Sequence, residues 1–148
     1  MSNFVYTNAK RAFLAGEIDL DTADVRALLV MTNTTADTEE DVATVSAFTA
    51  LDEMDGAGYS RATLTGEAVA VDNANNRGEF TAADFRFLNV SAGTRNVAAV
   101  VLFLFTTNDT DAVPLAYIDT VGPLAFPLTP NGGTITIAAN AEGLIQAT

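Results

Sequence analysis

The sequence predicts a single, mainly β domain over residues 1–148: an antiparallel β-sandwich or barrel-like body with one or two short helices in its N-terminal third. Three observations lead there. Short β-like runs separated by turn-forming clusters fill the chain from residue 59 onward. The longest apolar run, VAAVVLFLF at residues 97–105, has the length and β-branched content of a buried central strand. Hydrophobic residues make up 49% against 18% charged, a core-forming balance in a chain of 148 residues, enough for one ordinary domain.

The elements follow in order. Residues 6–15 read as a short helix that Gly16 stops, because glycine takes the left-handed conformation without penalty. Residues 26–32 form the first strong strand. Residues 34–41 are a polar, acidic loop. In residues 42–51 the apolar positions Val42, Val45, Phe48 and Leu51 recur every three, which predicts a second helix with one buried face. Residues 61–65 and 68–71 are short strands, and DNANNRG (72–78) is a turn. Residues 85–90 alternate, with Phe85, Phe87 and Asn89 on one face and Arg86, Leu88 and Val90 on the other. After the buried run, residues 113–120 give another strand, and Pro114 puts its beginning at a sheet edge. Residues 122–133 form an extended loop holding three of the four prolines. Ile135 and Ile137 then share one face of a late strand, and residues 143–148 close the sheet. No repeat or linker divides the chain.

Composition removes much chemistry. There is no histidine and no cysteine, so nucleophilic triads, thiolates, disulfides and the commonest transition-metal ligands are missing. The four serines, Ser2, Ser46, Ser60 and Ser91, have only carboxylates and Lys10, the single lysine, as bases. A formal charge of −12 disfavours nucleic acid and anionic membranes alike. The N-terminus lacks the pattern of a signal peptide, and the longest apolar run is far short of the roughly 20 residues that span a bilayer. The sequence therefore reads as a soluble chain. Closely spaced carboxylates occur at residues 19–21, 38–41, 52–55 and 108–111, but none has the spacing of a calcium loop. DNANNRGE comes nearest, with Ala74 at a ligand position. The expectation is no catalytic residue, no cofactor and no dedicated metal site.

GAGYSRATLTG (56–66) bears on the same point. It has neither GxxxxGK[ST] nor GxGxxG, and no strong strand precedes it, so it is not a phosphate loop. It reads as the lead-in to a strand: Gly56 and Gly58 permit unusual backbone, Tyr59 anchors it, and Arg61 pairs with a neighbouring acid.

The order of several blocks resembles small virion structural proteins of tailed phages, of the head decoration or cement kind. The blocks are YTNAKRAFLAGEIDLDTADVRALLVMTN, GYSRATLTGEAVAVDN, FTAADFRFLNVSAGT with the apolar strand after it, and LAYIDT. The resemblance implies a non-enzymatic protein on the exterior of the virion capsid. Its partners would be the major capsid protein and copies of itself in a symmetric oligomer such as a trimer, with no nucleic acid and no membrane. Leu124, Phe126 and Leu128, set among prolines that pre-order the chain, are the candidate interaction loop; the alternative is that they cover the domain's own core. The segment before Tyr6 is a candidate extended arm. Two other functions remain open: a tail, collar or fibre component, and a carboxylate-dependent glycan-degrading or glycan-binding module.

Overall fold

The computed structural model describes residues 3–139 and 143–148. Its strands run in chain order as β1 (Phe4–Val5), β2 (Val25–Met31), β3 (Ala62–Thr63), β4 (Ala68–Asp72), β5 (Arg77–Thr81) and β6 (Phe85–Phe87). There follow β7 (Val97–Leu104), β8 (Val113–Ile118), β9 (Thr120–Val121), β10 (Leu124–Ala125), β11 (Ile135–Ile137) and β12 (Ile145–Ala147). One α-helix, α1 (Thr7–Leu14), lies between β1 and β2. The fold is mainly β, as the sequence predicts, and every named strand pair is antiparallel. The barrel alternative is not what forms, since no sheet among the described residues closes on itself.

The main sheet has the order β1-β8-β7-β2-β3. Its centre is β7 against β2, in register from Val25 opposite Leu104 to Leu29 opposite Val100. Leu28, Leu29, Val100, Val101 and Leu102 are fully buried. A strand whose successive side chains are all buried must be covered on both faces, and this explains why its sequence is a continuous apolar run with no alternation. Each fully buried Leu, Val or Phe stabilises by roughly 1.5–3 kcal/mol relative to exposure. Pro114 sits opposite Phe103, where the β7–β8 register shifts. β1 pairs only with the later part of β8, at Ala116 and Tyr117, so the missing proline N–H falls beyond its reach.

Three small sheets complete the body: β10-β9, β11-β6 and β12-β5-β4. Phe80, Phe87, Ile137 and Ile145 from these sheets join the same core cluster as the central strands.

Several expectations need correction. Residues 42–51 are not a helix; only Val45–Ala47 makes a 3-10 turn, flanked by extended backbone at Thr44 and Phe48. A repeat of three fits the three residues per turn of that 3-10 geometry, whereas an α-helix needs 3.6. The strand at residues 85–90 stops at Phe87, because Asn89 takes a left-handed φ of 52°. Leu88 is therefore exposed and Val90 buried, and the alternation ends there. Residues 77–78 belong to a strand and not to the preceding turn. The segment before Tyr6 is no free arm over its described part. Phe4 and Val5 pair with β8, and the Asn3 side chain bonds Thr120 and Asp119.

Candidate interaction surface

Several charged side chains are paired within the fold, and those of Arg61 and Arg95 join segments distant in sequence. Arg61, just ahead of β3, lies between two carboxylates. Its Nε and Nη2 donate to Glu53 at 2.8 and 2.7 Å, and its Nη1 and Nη2 donate to Asp109 at 2.5 and 2.8 Å. The guanidinium also lies 5.2 Å from the centre of the Phe103 ring. Hydrogen bonds donated to Glu53 and then to Asp109 raise the Arg61 pKa further, and the same contact holds the Asp109 carboxyl below its usual range. Tyr59 completes the cluster: its hydroxyl donates to Glu53 at 2.8 Å and accepts the Leu29 N–H at 3.1 Å. Burial, then the Glu53 charge, pushes the Tyr59 hydroxyl far above its ordinary pKa. Two carboxylates that grip one guanidinium form a fixed electrostatic clamp.

The same pattern recurs. Arg95 forks onto Asp52, which also accepts the Asn33 N–H, and the Arg95 hydrogen bond lowers the Asp52 pKa. Asp55 binds both the N–H and the hydroxyl of Thr94, and Asp111 binds those of Thr107. Among the described residues, no three His, Cys, Asp or Glu side chains converge to hold a metal ion. No helix among them is long and apolar enough to cross a membrane.

The glycines of the 56–66 stretch have a steric reason. A Cβ at Gly56 would lie 2.1 Å from the Ser91 carbonyl oxygen, and one at Gly58, where φ is 85°, would lie 2.2 Å from that of Asn89. The glycines let this segment press against residues 89–91, and the Ser91 N–H closes the contact by donating to the Ala57 carbonyl at 2.9 Å. No ligand role is needed to explain them.

Leu124, Phe126 and Leu128 are each half-buried and packed against the core, alternating with exposed Ala125, Pro127 and Thr129. Leu128 is held by backbone hydrogen bonds in both directions with Val97. The three side chains thus cover the protein's own core, and part of each remains open to solvent.

A second apolar surface was not visible in the sequence. The three-stranded sheet carries two cross-strand rows on one face: Val69, Phe80 and Ile145, then Val71, Gly78 and Ala147. The first row runs into the core, with Phe80 and Ile145 buried. The second overhangs it, and Val71 is 75% exposed. Between this face and Phe13, Ile18 and Leu20 lies a groove of about 330 Å³, bordered by Asp19 and Asp21. The sequence signal was AVAV at residues 68–71, a strand with no polar residue for either face. The glycine and charges of RGEFT hid its partner.

No family model matches the chain, and neither does any curated protein or solved structure.

Proposed function

We propose that this chain is a non-enzymatic structural protein of a viral particle, a decoration or cement protein that binds the outer face of the major capsid lattice and stabilises the head. The observation that carries the reading is the contrast between an acidic body, cross-tied by its own ion pairs, and the exposed apolar strand β4 at the edge of its sheet. A protein that works by adhesion needs a rigid body and a sticky patch, and nothing reactive. The absence of histidine and cysteine is compatible with this, and so is the capture of Glu53 and Asp109 by Arg61. The order of the sequence blocks directs the reading to tailed-phage virions. The charge of −12 favours the exterior, away from packaged nucleic acid. The partners would be the capsid protein and copies of the chain in a symmetric oligomer such as a trimer, with Leu124, Phe126 and Leu128 contributing their exposed parts.

Quantitative mass spectrometry of particles made by the genome that encodes this chain tests the proposal. Decoration requires a copy number comparable to that of the shell subunit. A few copies per particle would move the chain to the tail, collar or fibre, and absence from the particle would reject a virion role.

A further inference from the structure

We infer that the groove beside β4 binds an extended, basic segment of a partner protein, one apolar side chain seating over Gly78 and a neighbouring lysine or arginine reaching Asp19 and Asp21. Gly78 gives the first argument. It lies inside β5, where glycine weakens a strand. Its φ is not left-handed, and a Cβ built there would meet nothing within 4 Å. Neither backbone strain nor crowding by the described residues calls for glycine at this position. The missing side chain leaves a gap in the row between Val71 and Ala147, opening into the groove. A glycine in a strand that nothing in its own fold requires is a place where another chain can approach closely.

The strand edge gives the second argument. β4 ends its sheet, and Ala68, Val69, Ala70 and Val71 are all exposed. The Val69 N–H points away from β5 and donates to Asp21 at 2.7 Å, so that part of the edge is closed by a side chain. Val71, two residues on, is 75% exposed beside Gly78, so the row offers open apolar surface to a chain laid across this face.

Charge selects the occupant. The carboxylates of Asp19 and Asp21 flank the groove in a molecule of net charge −12. The arginine of the hairpin, Arg77, stands on the opposite face of β5 and is paired with Asp72. Asp21 is bonded to Val69, about 7 Å along the strand from Val71 at roughly 3.3 Å per residue. A base one or two residues from the seated apolar side chain spans that distance. A second copy of this acidic chain is the poorer occupant, because it would bring like charge to the same rim. The inference rests on the groove alone and not on the capsid reading. Failure of the peptide test below leaves the particle copy number untouched, and the reverse also holds.

The test is an NMR titration of the isotope-labelled full chain with a short capped peptide alternating lysine and valine. Controls replace lysine by glutamate or valine by serine. Saturable amide shifts confined to residues 68–72, 77–81 and 145–147, with both controls silent, are expected. Gly78→Leu, which fills the gap, and Val71→Lys, which adds a repelling charge at a site too exposed to disturb folding, should each weaken binding about tenfold or more. No shift, or an equal response to the lysine–serine peptide, would overturn the inference. Broadening of the hairpin signals with protein concentration in the absence of peptide would also overturn it, by making a second copy the occupant.

Discussion

Replacing Tyr59 with phenylalanine removes one hydroxyl and leaves two groups without their partner. The Leu29 N–H lies in the central strand pair, and Glu53 loses the donor that helps hold it beside Arg61. A buried N–H left unsatisfied costs about 1–3 kcal/mol, so Tyr59→Phe should lower the unfolding free energy by that amount, seen as a lower urea midpoint at unchanged slope. An unchanged midpoint would mean that water replaces the hydroxyl. Gly78→Val should act in the opposite direction. The site has room, an ordinary φ and strand neighbours on both sides, so a gain of roughly 0.5–1 kcal/mol is expected. A stable protein that has lost the lysine–valine peptide would separate the two roles of that position. At this scale the sequence was partly legible: Tyr59 as an anchor and Arg61 as an ion-pair former follow from their setting. The partners did not follow, because Asp109 lies 48 positions from Arg61 and only the fold brings it near.

Elements were legible where burial is two-sided or a stop signal is strong. The apolar runs of β2 and β7 and the helix ended by Gly16 each carry their cause in a few adjacent residues. Residues 42–51 do not, because side chains there replace the backbone hydrogen bonds of a helix. The Glu39 carboxylate accepts both the N–H and the hydroxyl of Thr49, and the Thr35 hydroxyl accepts the Ala50 N–H. Threonines and glutamate that cap loop amides in this way compete directly with helix formation. Glu39→Ala should therefore release the loop locally. Hydrogen exchange at Thr49 should become fast while the amides of β2 and β7 keep their protection. If the central strands lost protection in parallel, the loop would be part of the cooperative core and not an appendage stitched onto it. The β4–β5 hairpin was half legible for a related reason: its turn is marked by Asp72 and asparagines, but β5 faces solvent and core with residues too mixed to read.

The whole molecule is defined by its charge and by the ionisable types it lacks. With no histidine or cysteine, no side chain has an ordinary pKa between about 5 and 8. Asp52, Asp55, Asp109 and Asp111 all have lowered carboxyl pKa values from hydrogen bonds to Arg95, Thr94, Arg61 and Thr107. Between the folded and unfolded titrations the unfolded chain holds more protons, so stability rises with pH there. These contributions are present above the unfolded carboxylate pKa of about 4 and are lost as pH falls through the folded values. Burial raises the tyrosines instead, Tyr117 to about 12 and Tyr6 and Tyr59 further. Their contribution is complete below the unfolded value of about 10 and is lost as pH climbs through the folded ones. The melting temperature should accordingly be flat from about pH 5.5 to 9 and fall on both sides. A slope inside that window would point to a group outside these sets.

Salt tests the other half of the electrostatics. Raising ionic strength from 10 mM toward 1 M shortens the screening length from about 30 Å to about 3 Å. The long-range repulsion among net negative charges is then removed, while pairs in direct contact, such as Arg61 with Glu53 at 2.7 Å, are weakened far less. Repulsion is spread over the whole surface and the strongest pairs are half-buried, so the first effect should win. The melting temperature at pH 7 should rise by several degrees with sodium chloride, with most of the gain reached by about 0.2 M, where the screening length has dropped below about 8 Å. A melting temperature that falls with salt would mean that surface ion pairs outweigh the net charge, and the body would then owe its rigidity more to exposed bridges than to the apolar strands at its centre.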